Sequence, residues 1–583
     1  MSNEEKNISN NESSNKVKTI LIATAFPTQG AGSGALISSQ AKAYVEAGYK
    51  VIILTANNRT DYERIPGVTY VTVPFTGETE NPEKIKGQLP FNYLMFTTHT
   101  ESTANFWNVS LEELEQYCKA FKTALHDTVE KFHPEVLHAQ HNWLLSSEAG
   151  RMNIPIVTTI HGTDLMGYER AKEELAEVME NIEQIKKSGE ITSADIGRIQ
   201  EIYLRSASCN ELRREIENLS SSENFKVKKE MMKKLTSLFD AKRKYEFYIS
   251  ESEHSARESE KIIVISKEQK EKFNRLFPYA KDKVELVENG YDKKVFCQEE
   301  VDREEVISSL TSDRTPDGKI STDYDKLVLF VGKFADFKGM DSMLTAIKQV
   351  EEQAEQEGQK VLTLIVGSGA LEKKLKDQAT QLELKNTHFV GRQPHSLIRK
   401  LQNLANVSLI PSRNEPFGLV VIEGTACGHP VIASNAGGIP DILNTTGEEL
   451  PNEDIIKTKL GVLIRPLPDR PKKLSEEKRE ELDRETTKYV IGNEETREEI
   501  VNYLSSKLGL SSEEISKYLE EYTRSTNALA SATMKTLNGE FSFDNDEIAR
   551  HTRENYSLDV IMKKLIGVFE SAVDKFKKRV QCK

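Results

Sequence analysis

The sequence predicts an α/β protein made of two doubly wound halves, each a parallel sheet with helices on both faces. Its apolar runs are short, rich in β-branched residues and continuous, which is typical of strands buried on both faces. Helical or loop stretches separate the runs, and the same pattern begins again near residue 300. Ligands of such sheets bind beyond the carboxyl ends of the strands, so we expect the active site in a cleft where the halves face each other.

Six runs form the predicted first half, which extends over residues 17–298 and follows a polar tail at residues 1–16 that we expect to be disordered. The first run leads through the turn-rich stretch FPTQGAGSG into ALISSQAKAYVEAG, an order that indicates strand, glycine loop and helix. The runs are residues 17–24, 50–55, 68–73, 135–139, 155–160 and 261–266.

Five runs form the predicted second half, residues 299–548. Residues 549–583 follow, and their stretch 556–576 has the apolar spacing of an amphipathic helix. The runs of the second half are residues 326–332, 360–366, 387–390, 406–410 and 429–434.

Two charged helical stretches interrupt this pattern, at about residues 168–258 and 469–524. We interpret the first as a helical insertion, a hairpin or lid, and the second as an insertion in the second half. The first carries two stripes at helical spacing: Leu175, Val178, Met179, Ile182 and Ile185, then Val227, Met231, Leu235 and Leu238.

The second stripe lies in a strongly basic stretch. Such a stretch could contact anionic lipid or a phosphorylated acceptor, so peripheral membrane contact is one interpretation. A solvated face balanced by neighbouring glutamates is the alternative. The basic residues are Lys226, Lys228, Lys229, Lys233, Lys234, Lys242, Arg243 and Lys244.

Composition excludes several classes of protein. The chain has 583 residues with 79 basic and 92 acidic side chains, and the resulting net charge of -13 argues against a nucleic acid as partner. No apolar run approaches the roughly 18 residues of a membrane helix. Five scattered cysteines without a C-x-x-C pair are typical of a reducing compartment, and the polar N-terminus lacks a secretion signal. We therefore expect a cytoplasmic protein.

The most specific segment is SRNEPFGLVVIEGTACGHPVIASNAGGIPDIL, residues 412–443. Glu415 precedes a predicted helix, and Glu423 lies within it, eight residues later. Carboxylates at these places could accept hydrogen bonds from sugar and ribose hydroxyls, whereas two solvated helix glutamates are the alternative. The helix start offers an anion site in the free N–H groups of Phe417, Gly418 and Leu419.

This segment resembles the retaining group-1 glycosyltransferases (family 4) of the GT-B fold, whose signature is two glutamates separated by seven residues in an EPFG…E block. Further similar motifs are VGKFADFKG (331–339), HGTD (161–164), VISKEQ…ENGYDKKVF (264–296), VGSG (366–369), FVGR (389–392) and GGIPDIL. Their order and spacing agree with the family. The resemblance covers about residues 17–165, 261–465 and 525–570, and leaves out both insertions.

The resemblance implies roles for charged residues. Lys333 and Lys338 would neutralise the diphosphate of a nucleotide-sugar. The family usually has arginine at the first position, and lysine keeps the charge but lacks the planar fork. His161 would face the transferred sugar or its phosphate. Glu415 would orient the sugar and Glu423 would hold the ribose, neither as a covalent nucleophile.

The resemblance also implies backbone contacts with the donor. The turn at Gly391 and Arg392 would meet the nucleobase through its main chain. The loop that contains Gly32 and Gly34 would bring N–H groups to the diphosphate or the acceptor, although this chain has GAGSG where the family has a doubled glycine.

The implied function is transfer of a sugar from a nucleotide-diphosphate-sugar with retention of configuration, without a cofactor or metal. The leaving diphosphate would help to take the acceptor proton, and the last helix would cross back to the first domain. The D-x-D triplet at residues 544–546 precedes a late helix, where capping explains it. The acceptor, a saccharide, glycolipid or small molecule, stays open. Alternatives are an enzyme of the same scaffold that forms a sugar phosphate or non-glycosidic bond, and a non-catalytic nucleotide-sugar-binding scaffold.

Overall fold

The computed structural model describes residues 17–28, 33–57, 64–76, 88–96, 102, 104–222, 225, 227–315, 317–471 and 474–582. The predicted tail, Gly32 and Lys226 lie outside these residues. The described chain forms two compact units. The first contains the residues up to Ile265, residues 269–287 and the chain from Met562 onward, and the second contains residues 266–268 and 288–561. The predicted domain limits at residues 298 and 548 stay a prediction.

The first unit has a seven-stranded sheet in the order β3-β2-β1-β4-β5-β6-β7, and every neighbouring pair is parallel. Its six predicted strands are all present. The seventh, β7, has three residues, and Glu285 at its centre interrupts the apolar pattern. The strands are β1 (Thr19–Ala23), β2 (Lys50–Asn57), β3 (Val68–Pro74), β4 (Val136–Gln140), β5 (Ile156–Ile160), β6 (Lys261–Val264) and β7 (Val284–Leu286).

Four of the helices in the first half of the chain form the first predicted insertion. They are α4 (Thr163–Ser188), α5 (Ser193–Arg205), α6 (Cys209–Ser220) and α7 (Lys229–Glu258). The first of them begins five residues before the predicted start at residue 168. The other helices are α1 (Ser33–Glu46), α2 (Leu111–Phe132), α3 (Leu144–Ala149) and α8 (Lys267–Leu276), with a 3-10 turn at Pro278–Lys283.

The first insertion is part of the main core of its unit, because Ile182 and Leu235 are buried in the same apolar cluster as Leu21 of β1. Met179 was expected in the buried stripe, but 41% of its surface is exposed. Lys244 also departs from a solvated basic face. It is 8% exposed, and its ammonium group donates to the backbone carbonyls of Trp107 at 2.8 Å and Val109 at 3.3 Å.

The second unit repeats the topology in the order β10-β9-β8-β11-β12-β14-β13, in which the β13–β14 pair is antiparallel. All five predicted strands are present, and the short strands β13 and β14 were not predicted. The strands are β8 (Lys326–Val331), β9 (Val361–Val366), β10 (Thr387–Phe389), β11 (Val407–Ile410), β12 (Val431–Ser434), β13 (Ile455–Lys457) and β14 (Gly461–Ile464).

The second insertion folds as three helices around an apolar cluster of its own, which includes Leu482, Leu504 and Tyr522. We call residues 467–471 and 474–522 the helical module. The helices from residue 300 on are α9 (Arg303–Ser308), α10 (Met340–Gln356), α11 (Glu372–Gln381), α12 (His395–Leu404), α13 (Leu419–Ala426), α14 (Ile439–Leu443), α15 (Glu476–Ile491), α16 (Glu494–Leu508), α17 (Ser512–Leu537), α18 (Asn545–Tyr556) and α19 (Leu558–Gln581).

Two Rossmann-like, mainly parallel sheets with helices around them confirm the predicted α/β fold class. From Met562 onward α19 belongs to the first unit, where the Phe569 ring lies 5.0 Å from that of His138. All five cysteines are free. Within the described ranges, no helix has the length and apolarity needed to cross a bilayer.

Candidate functional site

The first part of the candidate site is the turn that follows β8 in the second unit. The turn contains Lys333 and a 3-10 helix, Asp336–Lys338, and it ends at Gly339 with a φ of 63°. A Cβ atom at Gly339 would lie 2.0 Å from the carbonyl oxygen of Pro411, which follows β11. The turn after β8 and the loop after β11 are therefore packed backbone against backbone, as adjacent parallel strands require at their shared edge.

This packing brings two predicted site residues together. The Lys338 ammonium group forms an ion pair with Oε2 of Glu415, and each side chain is less than 15% exposed. Ser412 donates its hydroxyl to the same carboxylate oxygen at 3.3 Å. In this structure the two side chains are partners of each other, so a ligand that binds one of them must compete with this ion pair.

Glu423 is the third charged residue at this place. It lies in the second turn of α13 and is partly buried. Burial raises the pKa of its carboxyl to about 7, and the Lys338 charge opposes that rise. Because Lys338 acts on it electrostatically, Glu423 lies near the Lys338–Glu415 pair. Its carboxyl is divided between protonated and charged forms near neutral pH.

The start of α13 has the features of an anion site. Gly418 precedes the helix with a φ of 108°, in the left-handed region that favours glycine. The N–H groups around Phe417, Gly418 and Leu419 have no acceptors within the helix, and the helix dipole adds positive potential there. Phe417 itself is buried. An anion that approaches this point meets backbone donors and Lys338 from the same sheet edge.

A glycine pair after β12 fixes the Glu415 loop. Gly437 has a φ of 63°, and a Cβ atom there would lie 2.1 Å from the Glu415 carbonyl oxygen. The N–H of Gly438 donates to that same oxygen at 2.8 Å. The GGIPDIL motif thus holds the backbone of the loop that carries the first glutamate.

The remaining predicted donor residues of the second unit lie at the same edge of its sheet. Burial lowers the pKa of Lys333, which comes two residues after β8. The Gly391 carbonyl accepts the N–H of Gly367 at 2.9 Å, so the turn after β10 adjoins the loop after β9. Gly391 borders open space and Arg392 is exposed. This turn offers its main chain to a ligand.

His161 and the glycine loop belong to the first unit. Gly34 lies in the first turn of α1, and Gly32 is outside the described residues. His161 follows β5 and is 9% exposed, with its Nε2 2.7 Å from Oε1 of Gln140. Burial, assisted by His141, lowers the His161 pKa to about 3. The imidazole is therefore neutral at physiological pH and acts through hydrogen bonds.

A buried histidine–aspartate pair beside His161 was not predicted. Asp164 accepts from Nδ1 of His141 at 3.0 Å and from the backbone N–H groups of Asn142 and His161. Burial by itself raises the pKa of Asp164, but the His141 contact and these hydrogen bonds hold it at about 2. The only sequence signal for this pair is that the two residues follow the carboxyl ends of adjacent strands.

His141 is also strained and incompletely bonded. Its φ is 81°, in the left-handed region that non-glycine residues rarely adopt. Its Nε2 is buried and makes no hydrogen bond in the described part of the chain. Backbone strain of this kind concentrates at functional sites.

No group of three or more histidine, cysteine, aspartate or glutamate side chains is placed to hold a metal ion in the part of the chain that the structure describes. The D-x-D triplet at residues 544–546 has the capping role that its position predicts. Asp544 is the N-cap of α18, and its carboxylate accepts the N–H of Glu547 at 3.0 Å.

Known proteins resemble this chain in fold and in part of its sequence. Anabaena HepE, solved in complex with UDP and glucose, is 15% identical, with a TM-score of 0.46 over 95% of this chain and 100% of that protein. A sucrose-phosphate synthase from Thermosynechococcus elongatus is 16% identical, with a TM-score of 0.45 over 92% of this chain and 98% of that protein.

The match to a known sequence family lies in the second unit. Residues 313–451, which contain Lys338, Glu415 and Glu423, match the family described as glycosyl transferases group 1. An uncharacterized glycosyltransferase from Methanocaldococcus jannaschii is 32% identical over 190 residues, which cover 32% of this chain and 46% of that protein. A D-inositol 3-phosphate glycosyltransferase from Jonesia denitrificans is 24% identical over 191 residues, 32% of this chain and 43% of that protein. The chain spans less than half the length of either relative.

Proposed function

We propose that this chain is a retaining glycosyltransferase of family 4, which transfers a hexosyl group from a nucleotide-diphosphate-sugar to an acceptor in the cytoplasm. The observation that carries the proposal is the convergence of Lys338, Glu415 and Glu423 beside the start of α13. This convergence lies in the segment that matches the group 1 family. The acceptor is a saccharide, glycolipid or small molecule.

Binding of the donor diphosphate requires positive charge, which this edge of the second sheet supplies. Lys338 and Lys333 provide two cations, and the first N–H groups of α13 provide hydrogen-bond donors. We propose that these groups replace a bound metal ion in neutralising the leaving group. No cofactor is required by this chemistry.

Donor binding also frees Glu415 for the sugar. In the free protein the Glu415 carboxylate is paired with the Lys338 ammonium group. When the diphosphate takes over Lys338, that carboxylate becomes available to accept hydrogen bonds from the sugar hydroxyls. Glu423 accepts from the ribose hydroxyls, and such hydrogen bonds favour the charged form of a carboxyl whose pKa is otherwise raised to about 7.

The transfer step breaks the bond between the anomeric carbon and the diphosphate oxygen, and it forms a bond from that carbon to the acceptor oxygen. The acceptor proton passes to the released diphosphate oxygen, so no enzyme base is consumed. Transfer on one face of the sugar gives retention. The neutral imidazole of His161 acts as a hydrogen-bonding group toward the sugar or its phosphate.

A thermal-shift panel with UDP, GDP, ADP and their common sugar conjugates tests the proposal. A nucleotide at about 100 times its dissociation constant should stabilise the protein by roughly 2.7 kcal/mol. Lys338→Ala should abolish that shift. Lys348→Ala removes a lysine of α10 that pairs with Glu352 on the helix surface, and it should leave the shift unchanged.

The outcomes separate the candidate functions. If no nucleotide stabilises the protein, the proposal is refuted. If a nucleotide binds but its sugar conjugate is not turned over with any acceptor, the non-catalytic scaffold replaces the enzyme. If turnover occurs, the linkage and anomeric configuration of the product distinguish retaining glycosyl transfer from formation of a sugar phosphate or non-glycosidic bond.

A further inference from the structure

We infer that the helical module positions the Lys338–Glu415 pair, and that Arg470 and Tyr522 are its positioning residues. This inference rests on the proposed function for its effect on nucleotide binding. The effect of the module on the two backbone segments that carry the pair rests on the structure alone.

The first contact joins the module to the turn that carries Lys338. Arg470 pairs through Nη1 with Asp336, two residues before Lys338. The Arg470 side chain is only 13% exposed, and its Nε donates at 2.9 Å to Asp483 of α15. Lys374 of α11 donates to the other Asp483 oxygen at 2.8 Å. Arg470 is therefore fixed on the module side and reaches toward the turn.

The second contact joins the module to the loop that carries Glu415. The Tyr522 hydroxyl of α17 donates at 2.9 Å to Oδ2 of Asp341, and Nη2 of Arg413 donates to that same oxygen at 2.7 Å. Arg413 lies two residues before Glu415, and its backbone N–H donates to the Phe337 carbonyl at 2.7 Å. Tyr522 thus acts through Asp341 on both segments of the ion pair.

The polar character of this contact region indicates a positioning role. Arg413 and Asp341 form a buried ion pair, with side chains 11% and 14% exposed. Such a pair is often no more stable than apolar side chains of the same volume, so packing alone does not require these charges. Arg413 also leaves Nε and Nη1 buried without a partner among the described residues, which is a cost for folding. What directional charged contacts supply is a fixed geometry, and here that geometry is the spacing of Lys338 and Glu415.

Amide hydrogen exchange of the free, full-length protein tests the positioning role without any ligand. Tyr522→Phe removes one hydroxyl, and Arg470→Lys keeps the charge but cannot bridge Asp336 and Asp483. Both variants should exchange about tenfold faster in peptides covering residues 334–340 and 411–419, which corresponds to ~1.4 kcal/mol of local opening. The rest of the second unit should exchange as in the unchanged protein.

Two matched variants in the same module serve as controls. Tyr503→Phe removes a hydroxyl that donates to Glu481 at 2.7 Å, and Arg484→Lys alters an arginine that pairs with Glu481 and Glu485. Neither side chain touches the Lys338 turn or the Glu415 loop. Both controls should leave exchange in the two segments unchanged.

Calorimetric titration with UDP, GDP and ADP then tests the link to binding. Tyr522→Phe and Arg470→Lys should weaken the affinity for the nucleotide that binds by about tenfold, the loss seen at metal sites when a residue that supports a ligand is removed. Unchanged exchange in both segments overturns the inference, and so does faster exchange throughout the unit. Faster local exchange with unchanged affinity overturns its functional part. If none of the three nucleotides binds the unchanged protein, the proposed function fails, while the exchange result still decides the positioning role.

Discussion

Glu423→Gln tests the electrostatic environment of the proposed ribose site. The folded protein raises the pKa of this carboxyl from 4.5 to about 7, chiefly through burial. Between these values the folded state keeps a proton that the unfolded chain has lost, so the free energy of unfolding must fall as pH rises through this window. A pKa difference of about 2.5 corresponds to roughly 3 kcal/mol. Glutamine carries no such proton, so the variant should lack this loss of stability.

The assay is urea unfolding at a series of pH values from 4 to 8. Both tryptophans, Trp107 and Trp143, lie in the first unit, so tryptophan emission is an internal control whose pH dependence should match in the two proteins. Circular dichroism adds the transition of the second unit, in which the difference between the proteins should appear. Lys338→Met removes the opposing cation and should extend the loss of stability to higher pH. The reasoning is refuted if the second-unit transition has the same pH dependence in Glu423→Gln as in the unchanged protein.

Three further predictions concern packing, titration and charge. Gly437→Ala should destabilise the protein by about 1–3 kcal/mol and weaken nucleotide binding, because its Cβ would strike the Glu415 carbonyl. Gly447 has a similar φ of 69°, but a Cβ atom there would have no atom within 4 Å, so Gly447→Ala is the control. Equal urea midpoints for Gly437→Ala and Gly447→Ala would contradict the proposed clash. Because the pKa of His161 is lowered, the stability that its neutral imidazole contributes should be lost as pH falls from 6.5 toward 3. In His161→Gln the urea midpoint should therefore fall less over this pH range. Asp341→Ala should cost about 3–5 kcal/mol of stability, because it leaves the buried Arg413 without its ion-pair partner. An unchanged urea midpoint would contradict this.

The order of events at the proposed donor site follows from the charges in the free protein. Lys338 and Glu415 neutralise each other before a ligand arrives. Glu423 is partly protonated near pH 7, because its pKa is about 7. A diphosphate would exchange one partner of Lys338 for another. Lys338 therefore has an anionic partner in both states, while Glu415 exchanges a cation for the hydroxyls of the sugar.

Local pattern was sufficient for the strands and for the start of the site helix. Continuous apolar runs predicted eleven strands because a parallel strand with helices on both faces buries every side chain. Strands β7, β13 and β14 were not predicted. The first contains a glutamate and the second a lysine, so neither is a continuous apolar run. Met179 and Lys244 show a second limit, because spacing on one helix does not state which neighbour covers each position.

By itself, the sequence determined the two α/β halves, the positions of the helical insertions and the candidate charged residues at strand ends, since these depend on residues close together in the chain. Only the tertiary structure decided which of them meet. Lys338 pairs with Glu415 across 77 positions, and Tyr522 reaches Asp341 across 181. Such contacts, and the pKa shifts that burial causes, depend on how separate strands and helices pack, which no local pattern specifies.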